Sequence, residues 1–313
     1  MKYAVKKLTT LILTLLLVSF LAFLAFQVIP GDPAIKMLGT KATPNKLAAL
    51  REEMGLNRPM LIRYFTWLKD FFFGNMGTSY SYHMPVDSML SGKLPITLTL
   101  TGISFLMIVA GSIPLGIYTA KYQDRRLTKA LNVLNQITMS IPPFFVGVLF
   151  TYFFGLLLRW FTPGGFVSYT TNVFKFVGYL IFPAISIALP KIAMSTKMLQ
   201  GSLMTEMQKD YVRTAYSRGN RTKGVLYHHV LKNAMIPVIT FLGMTLADIV
   251  AGSIIIEQVF SIPGLGRLLI TSIANRDYPV VQAIIMCIAF IVIIINFAVD
   301  ILYQIIDPRV RGQ

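Results

Sequence analysis

Long apolar segments recur along this chain, each about as long as the twenty residues that an α-helix needs to cross a bilayer. The hydrocarbon interior offers the peptide backbone no hydrogen-bond partner, so such a segment has to satisfy its own backbone. The sequence predicts six membrane-spanning helices, at 8–29, 95–120, 130–158, 176–196, 236–256 and 280–299. Lys191, Pro183 and Pro190 interrupt the fourth, and prolines kink a helix because they lack a backbone donor. The predicted fold class is an all-α integral membrane protein.

The composition excludes an ordinary soluble domain. Of the 313 residues, 55% are hydrophobic and 13% are charged, and the mean hydropathy is +0.64, whereas about 25% of the residues of a soluble domain are charged. Lys2, Lys6 and Lys7 precede the first apolar segment, as in a secretory signal. That segment is longer than the core of a signal, and no small-residue cleavage site follows it before Pro30. We therefore expect a retained helix.

Basic residues are distributed unevenly around the predicted spans. They are frequent near the N-terminus, in 121–129, in 197–233 and after 308, and they are sparse in 159–175 and 257–279. Since short basic loops stay on the cytoplasmic side, both termini are predicted to be cytoplasmic. The net charge of +16 then suits anionic lipid headgroups beside the spans, so membrane lipid is an expected partner and nucleic acid is not.

Searches for reaction chemistry in the sequence find no catalytic motif. The chain has no Gly-x-x-x-x-Gly-Lys-Ser/Thr loop for ATP phosphates, no His-Glu-x-x-His zinc pattern and no Gly-x-Ser-x-Gly elbow. The adjacent His228 and His229 would point about 100 degrees apart on a helix, which suits one shared metal ion poorly. Cys287 is the single cysteine. We predict no catalytic residue, no metal site and no cofactor in this chain, so any ATP and Mg²⁺ would be used by partner subunits.

The loop after the first span predicts two short helices. Pro44 opens the first and Gly55 closes it, and Pro59 opens the second. The second helix either lies flat at the membrane surface, with Tyr64 and Trp67 at the headgroups, or packs these aromatics against neighbouring helices. Its apolar residues recur at helical spacing: Leu61, Phe65, Leu68 and Phe72.

A basic, polar segment at 205–237 separates two apolar blocks and must project from the lipid. Leu203, Met207 and Tyr211 recur every four residues, which predicts one amphipathic helix that Gly219 ends in a left-handed conformation. Thr222 can cap a second helix running toward Asn233, and Pro237 is placed early in the next span. The expected structure is a helix-turn-helix elbow on the cytoplasmic face.

This elbow resembles the coupling loop of binding-protein-dependent ABC importer permeases, whose signature reads Glu-Ala-Ala, three residues, then Gly. Here Arg213, Thr214, Ala215 and Gly219 occupy those places, with Arg213 where the general signature has Glu. The longer strings at 210–215, 231–234 and 236–237 are similar to the peptide and nickel branch. The resemblance extends through further short strings at 31–33, 55–59, 74–79, 262–266, 275–278 and 307–309.

The resemblance implies the type I importer permease fold, with six spans and a cytoplasmic coupling elbow. It also implies the partners: a second homologous permease, two cytoplasmic ABC ATPases and an extracytoplasmic substrate-binding protein, in a bacterial plasma membrane. We expect the first span and outer loop at 1–93, the permease domain at 94–304 and a cytoplasmic tail at 305–313. The residues expected to couple to the ATPase are Asp210, Tyr211, Arg213, Thr214, Ala215 and Gly219.

Asp248 lies near the middle of the fifth predicted span, where an ionised group is costly unless it faces water or a partner. We expect it to point inward, either lining a translocation pathway that attracts a cationic group or making a structural hydrogen bond to a neighbouring helix. Glu257 and Asp300 lie near span ends, where interfacial or ion-pair roles are expected.

The expected function is that of a permease subunit forming half of a pathway for dipeptides or oligopeptides. The same type of complex importing nickel or a metal-chelator complex is the alternative. A more distant one is an ion-gradient-driven transporter, which would explain Asp248 without an ATPase but usually carries internal helix repeats.

Overall fold

A computed structural model describes residues 2–28, 33–38, 43–53 and 55–306. These residues are helical or irregular, and their β pairing is an isolated bridge between Thr78 and Pro85. The chain forms two compact units, one from 1–96 with 264–293 and the other from 97–263 with 294–313. The strings at 31–32 and 307–309 and most of the expected tail lie outside the described residues.

The helices are named here in chain order. The first seven are α1 (Lys2–Val28), α2 (Pro33–Leu38), α3 (Pro44–Glu53), α4 (Met60–Phe72), α5 (Val86–Ser91), α6 (Leu94–Lys121) and α7 (Arg126–Ser140). The others are α8 (Pro143–Phe150, then π-helical over Thr151–Leu157), α9 (Val173–Met207), α10 (Asp210–Ser217), α11 (Thr222–Gly224, then π-helical over Val225–Val230), α12 (Leu231–Val259), α13 (Leu265–Ala274) and α14 (Tyr278–Ile306).

Five helical segments of the described chain are long and apolar enough to span a membrane, and there are six if one bent pair of helices is counted as a single span. The pair is α7 and α8, which meet at 98°. The prediction of one continuous third span over 130–158 is therefore wrong. Two successive prolines, Pro142 and Pro143, explain the break, because proline lacks the backbone donor and disfavours helical geometry in the residue before it. Ile141 is extended, and Pro143 then begins α8, where a missing donor costs nothing.

The fourth and fifth spans extend beyond their predicted ends. Helix α9 continues past Thr196 to Met207, with Pro183 and Pro190 inside it. Pro237 lies within α12 instead of opening a new helix, so the second helix of the elbow is continuous with the fifth span. Hydropathy marks where lipid ends, but a helix can continue into water when neighbouring helices pack against it.

Helix α9 is the centre of the second unit, since α7, α8 and α12 all pack on it. Leu180, Ala184 and Leu199 are fully buried along its length. Near its start, Phe182 stacks with Phe154 at 4.9 Å and with Phe161 at 5.0 Å between ring centroids. These stacked rings hold the end of α8 and the segment after it against α9, because aromatic pairs add to the energy of burial.

In the first unit, α4 packs on α1. The Tyr64 hydroxyl lies 2.7 Å from the Ser19 hydroxyl, and the Tyr64 ring contacts Phe20 and Phe23 edge-on. For Tyr64, packing against a neighbouring helix is therefore the arrangement found. The apolar side chains on the other side of α4 are exposed: Leu61, Phe65 and Phe72.

Two short strings that lie far apart in the sequence meet at Asp277. Its carboxylate is fully buried and accepts hydrogen bonds from the Ser79 hydroxyl at 2.5 Å and from the backbone of Tyr80 and Ser81 at 3.0 and 3.2 Å. Burial, together with the nearby Asp277 carboxylate, raises the pKa of Tyr80 to about 12. The buried carboxylate of Asp277, just before α14, thus holds the 79–81 turn in place.

The packing of α12 makes a stability prediction at two glycines. A Cβ at Gly243 would lie 2.4 Å from the Val299 side chain, whereas a Cβ at Gly252 would have no neighbour within 4 Å. Gly243→Ala should therefore destabilise the detergent-solubilised protein by roughly 1–3 kcal/mol through overpacking. Gly252→Ala, on the same helix, is the control and should be neutral or slightly stabilising. Thermal unfolding followed by size-exclusion chromatography measures both, and equal melting temperatures would contradict the packing.

Replacing Asp277 by alanine should release the 79–81 turn, because buried donors would lose their acceptor at a cost of about 3 kcal/mol. Limited proteolysis of the 74–85 segment measures the effect. Asp87→Ala removes an exposed carboxylate close to the same turn and should leave cleavage unchanged. Equal protection of the Asp277→Ala protein would show that the carboxylate does not hold the turn.

Candidate functional site

The predicted elbow exists, but it contains one more break than expected. Helix α9 ends at Met207, Lys209 is extended, and α10 begins at Asp210, so the prediction of one helix through to Gly219 is wrong. The Glu206 carboxylate spans this break, accepting a hydrogen bond from the Tyr211 hydroxyl at 2.7 Å and another from the Lys209 ammonium. The break therefore has its own polar connection, which the helical period could not reveal.

Gly219 ends α10 as predicted, with a φ of +81°. The Asn220 amide donates to the Ala215 carbonyl at 3.3 Å and the Gly219 amide donates to the Tyr216 carbonyl at 2.9 Å. This pair of bonds is the Schellman motif, which favours glycine because the left-handed conformation is strained for other residues. The Asn220 side chain also donates to the Ala215 carbonyl, at 3.1 Å.

One face of α10 is packed and the opposite face is open. Val212 and Ala215 are buried, and α10 packs on the π-helical segment Val225–Val230. The helix is thereby attached to the segment that leads into α12.

The predicted coupling residues divide between these two faces. Asp210, Arg213, Thr214 and Gly219 are exposed, whereas Ala215 is buried beneath them. Arg213 and Asp210 form an exposed contact of 3.8 Å, which is worth little in water. Tyr211 is half-buried, and burial is the largest cause of its raised pKa. Ala215 and Tyr211 therefore shape the elbow from within, and the four exposed residues form a surface that a partner can reach.

Asp248 forms an ion pair with Lys191. The Lys191 ammonium donates to Asp248 Oδ2 at 2.9 Å, joining the middle of α9 to the middle of α12. The carboxylate side chain is 64% exposed and the lysine side chain 21%. In the sequence, Lys191 is recognisable only as an interruption of the fourth span. The missed signal was that two opposite charges occur near the middles of two separate apolar segments.

Glu257, for which an interfacial or ion-pair role was expected, lies in the protein interior. Its side chain is fully buried, and Oε1 accepts a hydrogen bond from the Thr97 hydroxyl at 2.6 Å. Asp300 is half-buried within α14. A second polar tie, from the Ser202 hydroxyl to the Ala234 carbonyl at 2.8 Å, joins α9 to α12 beside the elbow.

The other candidate residues form no catalytic arrangement in the described ranges. His228 and His229 are exposed in the π-helical segment, and His228 Nδ1 lies 3.3 Å from the Gly224 carbonyl. Cys287 is half-buried in α14. Among the described residues, no group of three or more His, Cys, Asp or Glu side chains could hold a metal ion.

These features define a class: a helical, multi-pass membrane protein with an intramembrane ion pair and a firmly packed elbow that presents an exposed polar face. The family model for the binding-protein-dependent transport system inner membrane component matches residues 112–312. The model for the N-terminal part of such membrane components matches residues 1–101. The chain belongs to this family, and the prediction of a permease subunit of an ABC importer is confirmed.

Relatives match over almost the whole chain. An oligopeptide transport system permease protein of Bacillus subtilis is 33% identical over 99% of both chains. A probable peptide ABC transporter permease protein of Sinorhizobium fredii is 34% identical, and a glutathione transport system permease protein of Salmonella choleraesuis is 33% identical, again over 99% of each chain. In such systems ATP is hydrolysed by separate subunits, so the chain is a permease and not an ATPase, as predicted. The ion-gradient alternative does not agree with this family.

The Schellman motif makes a local prediction at Gly219. Gly219→Val should strain the turn by about 1–2 kcal/mol, since a β-branched residue is strained in the left-handed conformation. Gly219→Asn is the matched control, because asparagine tolerates that conformation. Hydrogen exchange of the backbone amides of 216–220 reports local opening, and faster exchange is expected in the valine variant alone. Similar exchange in both variants would mean that the positive φ does not stabilise the turn.

Proposed function

We propose that this chain is the permease subunit of a peptide importer and forms half of its translocation pathway. The observation that carries the proposal is the end-to-end similarity to permeases whose names specify peptide, oligopeptide or glutathione transport. Nickel appears in none of these names. Peptides are therefore the substrate class that we favour over a nickel or metal-chelator complex.

The importer requires other subunits. The chain would pair with a second homologous permease, and two cytoplasmic ABC ATPases would supply energy. An extracytoplasmic binding protein would deliver the substrate, in keeping with a family defined as binding-protein-dependent. The distribution of basic residues supports an orientation with both termini and the elbow on the cytoplasmic side of a bacterial plasma membrane.

The elbow would couple ATP hydrolysis to movement of the spans. Its exposed residues Asp210, Arg213 and Thr214 would contact an ATPase, while Tyr211, Ala215 and Gly219 keep the shape of the elbow. Because α10 packs on the segment that leads into α12, and Ser202 joins α9 to α12, a displacement of the elbow would be passed to both spans. The pathway would then alternate between two states that the ATPases favour differently.

Asp248 would line the pathway. Its carboxylate is mostly exposed on a single chain, although it lies in a span where lipid exposure of a charge is costly. If the Asp248 carboxylate faces a water-filled pathway between two permeases, both observations are explained.

Purification and crosslinking test the proposal together. The tagged chain, solubilised in mild detergent, should co-purify with ABC ATPases and hydrolyse ATP in a vanadate-sensitive way. In a Cys287→Ser background, Thr214→Cys should crosslink to a co-purified ATPase, whereas Thr170→Cys, in the loop before α9, should not. Proteoliposomes of the complex with its binding protein should take up peptide only with ATP.

Each outcome has a separate meaning. A chain that purifies without ATPases would contradict the assembly. A crosslink from Thr170→Cys instead of Thr214→Cys would reverse the orientation. Gly219→Val should assemble and insert yet lose coupled uptake, and normal uptake by that variant would contradict the role of the rigid turn.

A further inference from the structure

The Lys191–Asp248 pair has a property that a purely structural ion pair does not need, because it is open on one side. The contact between the two groups is a single 2.9 Å hydrogen bond, and the Asp248 side chain is 64% exposed. A pair that served only to hold α9 to α12 could be enclosed between the helices, where it would need further hydrogen bonds to repay the loss of hydration. This pair instead presents much of its carboxylate to the outside of the single chain.

The surface around Asp248 is open on the single chain. Met244, Ala251 and Ile255 are exposed on the same face of α12, one and two turns away. Gly252 is also exposed, and a Cβ there would meet nothing within 4 Å. The residues one turn beyond the carboxylate are thus small, and the face has free space beside its charge.

Lipid is an unsuitable neighbour for this face. An exposed carboxylate and an ammonium near the middle of two spans would each lose their hydration in hydrocarbon. A water-filled space preserves that hydration and also admits solutes. The ion pair is therefore placed where a passing molecule can compete with one of its members for the other.

The chemistry of the pair selects a solute that carries both charges. An ammonium has three donors and a carboxylate can accept several hydrogen bonds, so each member of the pair has capacity beyond their mutual bond. A zwitterion can place its own ammonium on Asp248 and its own carboxylate on Lys191 and leave no charge unpaired. A solute with one charge would free one member of the pair without a partner, which is costly away from bulk water.

We propose that Lys191 and Asp248 form a transit site for small zwitterions, in which Asp248 binds the amino group and Lys191 binds the carboxylate of a peptide with free termini. This inference rests on the proposed function, because it assigns a substrate class and two opposite roles to that pathway. It adds Lys191 as a substrate-binding residue.

Thiol labelling of the assembled importer in proteoliposomes tests the site. Cys287→Ser leaves this chain without cysteine, and Ala251→Cys then places a thiol one turn from Asp248. A water-soluble methanethiosulfonate reagent should modify this thiol. Leu106→Cys, at a 68% exposed apolar position on α6, should not react if it faces lipid. The reaction is followed on this chain alone by a gel shift.

Dialanine at millimolar concentration should slow the labelling of Ala251→Cys, whereas N-acetyl-dialanine amide, which has neither terminal charge, should not. Asp248→Asn or Lys191→Met should each weaken this protection roughly tenfold, as expected for the loss of one charge-assisted hydrogen bond. A structural ion pair would not discriminate between the two peptides.

Two results would overturn the inference. An unreactive Ala251→Cys would show that a second permease or lipid covers this face. Equal protection by the charged and the capped peptides would show that the ion pair does not bind the charged termini. Peptide uptake by the same proteoliposomes separates these results from a failure of the proposed function. If peptide is taken up but the thiol is unreactive or unprotected, only the transit site is contradicted. If the unmodified importer takes up no peptide, peptide import itself is contradicted.

Discussion

The packing of α7, α8 and α12 against one long helix, α9, is the interaction on which the second unit depends. Lys191 lies near the middle of α9, and the elbow begins at its end after Met207. At a helical rise of about 1.5 Å per residue, roughly 24 Å separates these two places. The packed helix α9 therefore connects the level of the ion pair to the start of the elbow.

Helices α9 and α12 are joined both in their middles and near the elbow. Lys191 and Asp248 tie α9 to α12 in their middles, and Ser202 ties them again near the elbow. Helix α10, in which Val212 is buried, packs on the segment Val225–Val230 that leads into α12. These contacts form a continuous path of packed elements from the elbow to the ion pair.

Local chemistry was predictable from the sequence, and long-range geometry was not. Gly219 was identified correctly because a left-handed helix end requires glycine from backbone sterics alone. The break between Met207 and Asp210 escaped the helical period, since the apolar spacing continues across it and Glu206 joins its two sides only after folding. The bend at Pro142 escaped because apolar content continues through it, although two adjacent prolines were a visible signal.

The intramembrane charges show the same division. Asp248 could be singled out from the sequence alone, because an ionised carboxylate in a membrane span is costly and therefore rare. Its partner could not be assigned, since Lys191 is 57 residues away in the chain and belongs to another helix. The Asp277 carboxylate, which binds the turn at Ser79 across 198 residues, was likewise recognisable only as a short string.

The bend between α7 and α8 has a consequence for the bilayer. Because the two helices meet at 98°, they cannot both follow the membrane normal. Beyond the bend, α8 supplies 8 α-helical and 7 π-helical residues, which reach only roughly 20 Å. The hydrocarbon core is about 30 Å thick. For the bent pair to complete a crossing, the bilayer beside α8 has to thin or the helix has to be shielded by a neighbour, so hydrophobic mismatch makes this part of the permease sensitive to lipid chain length.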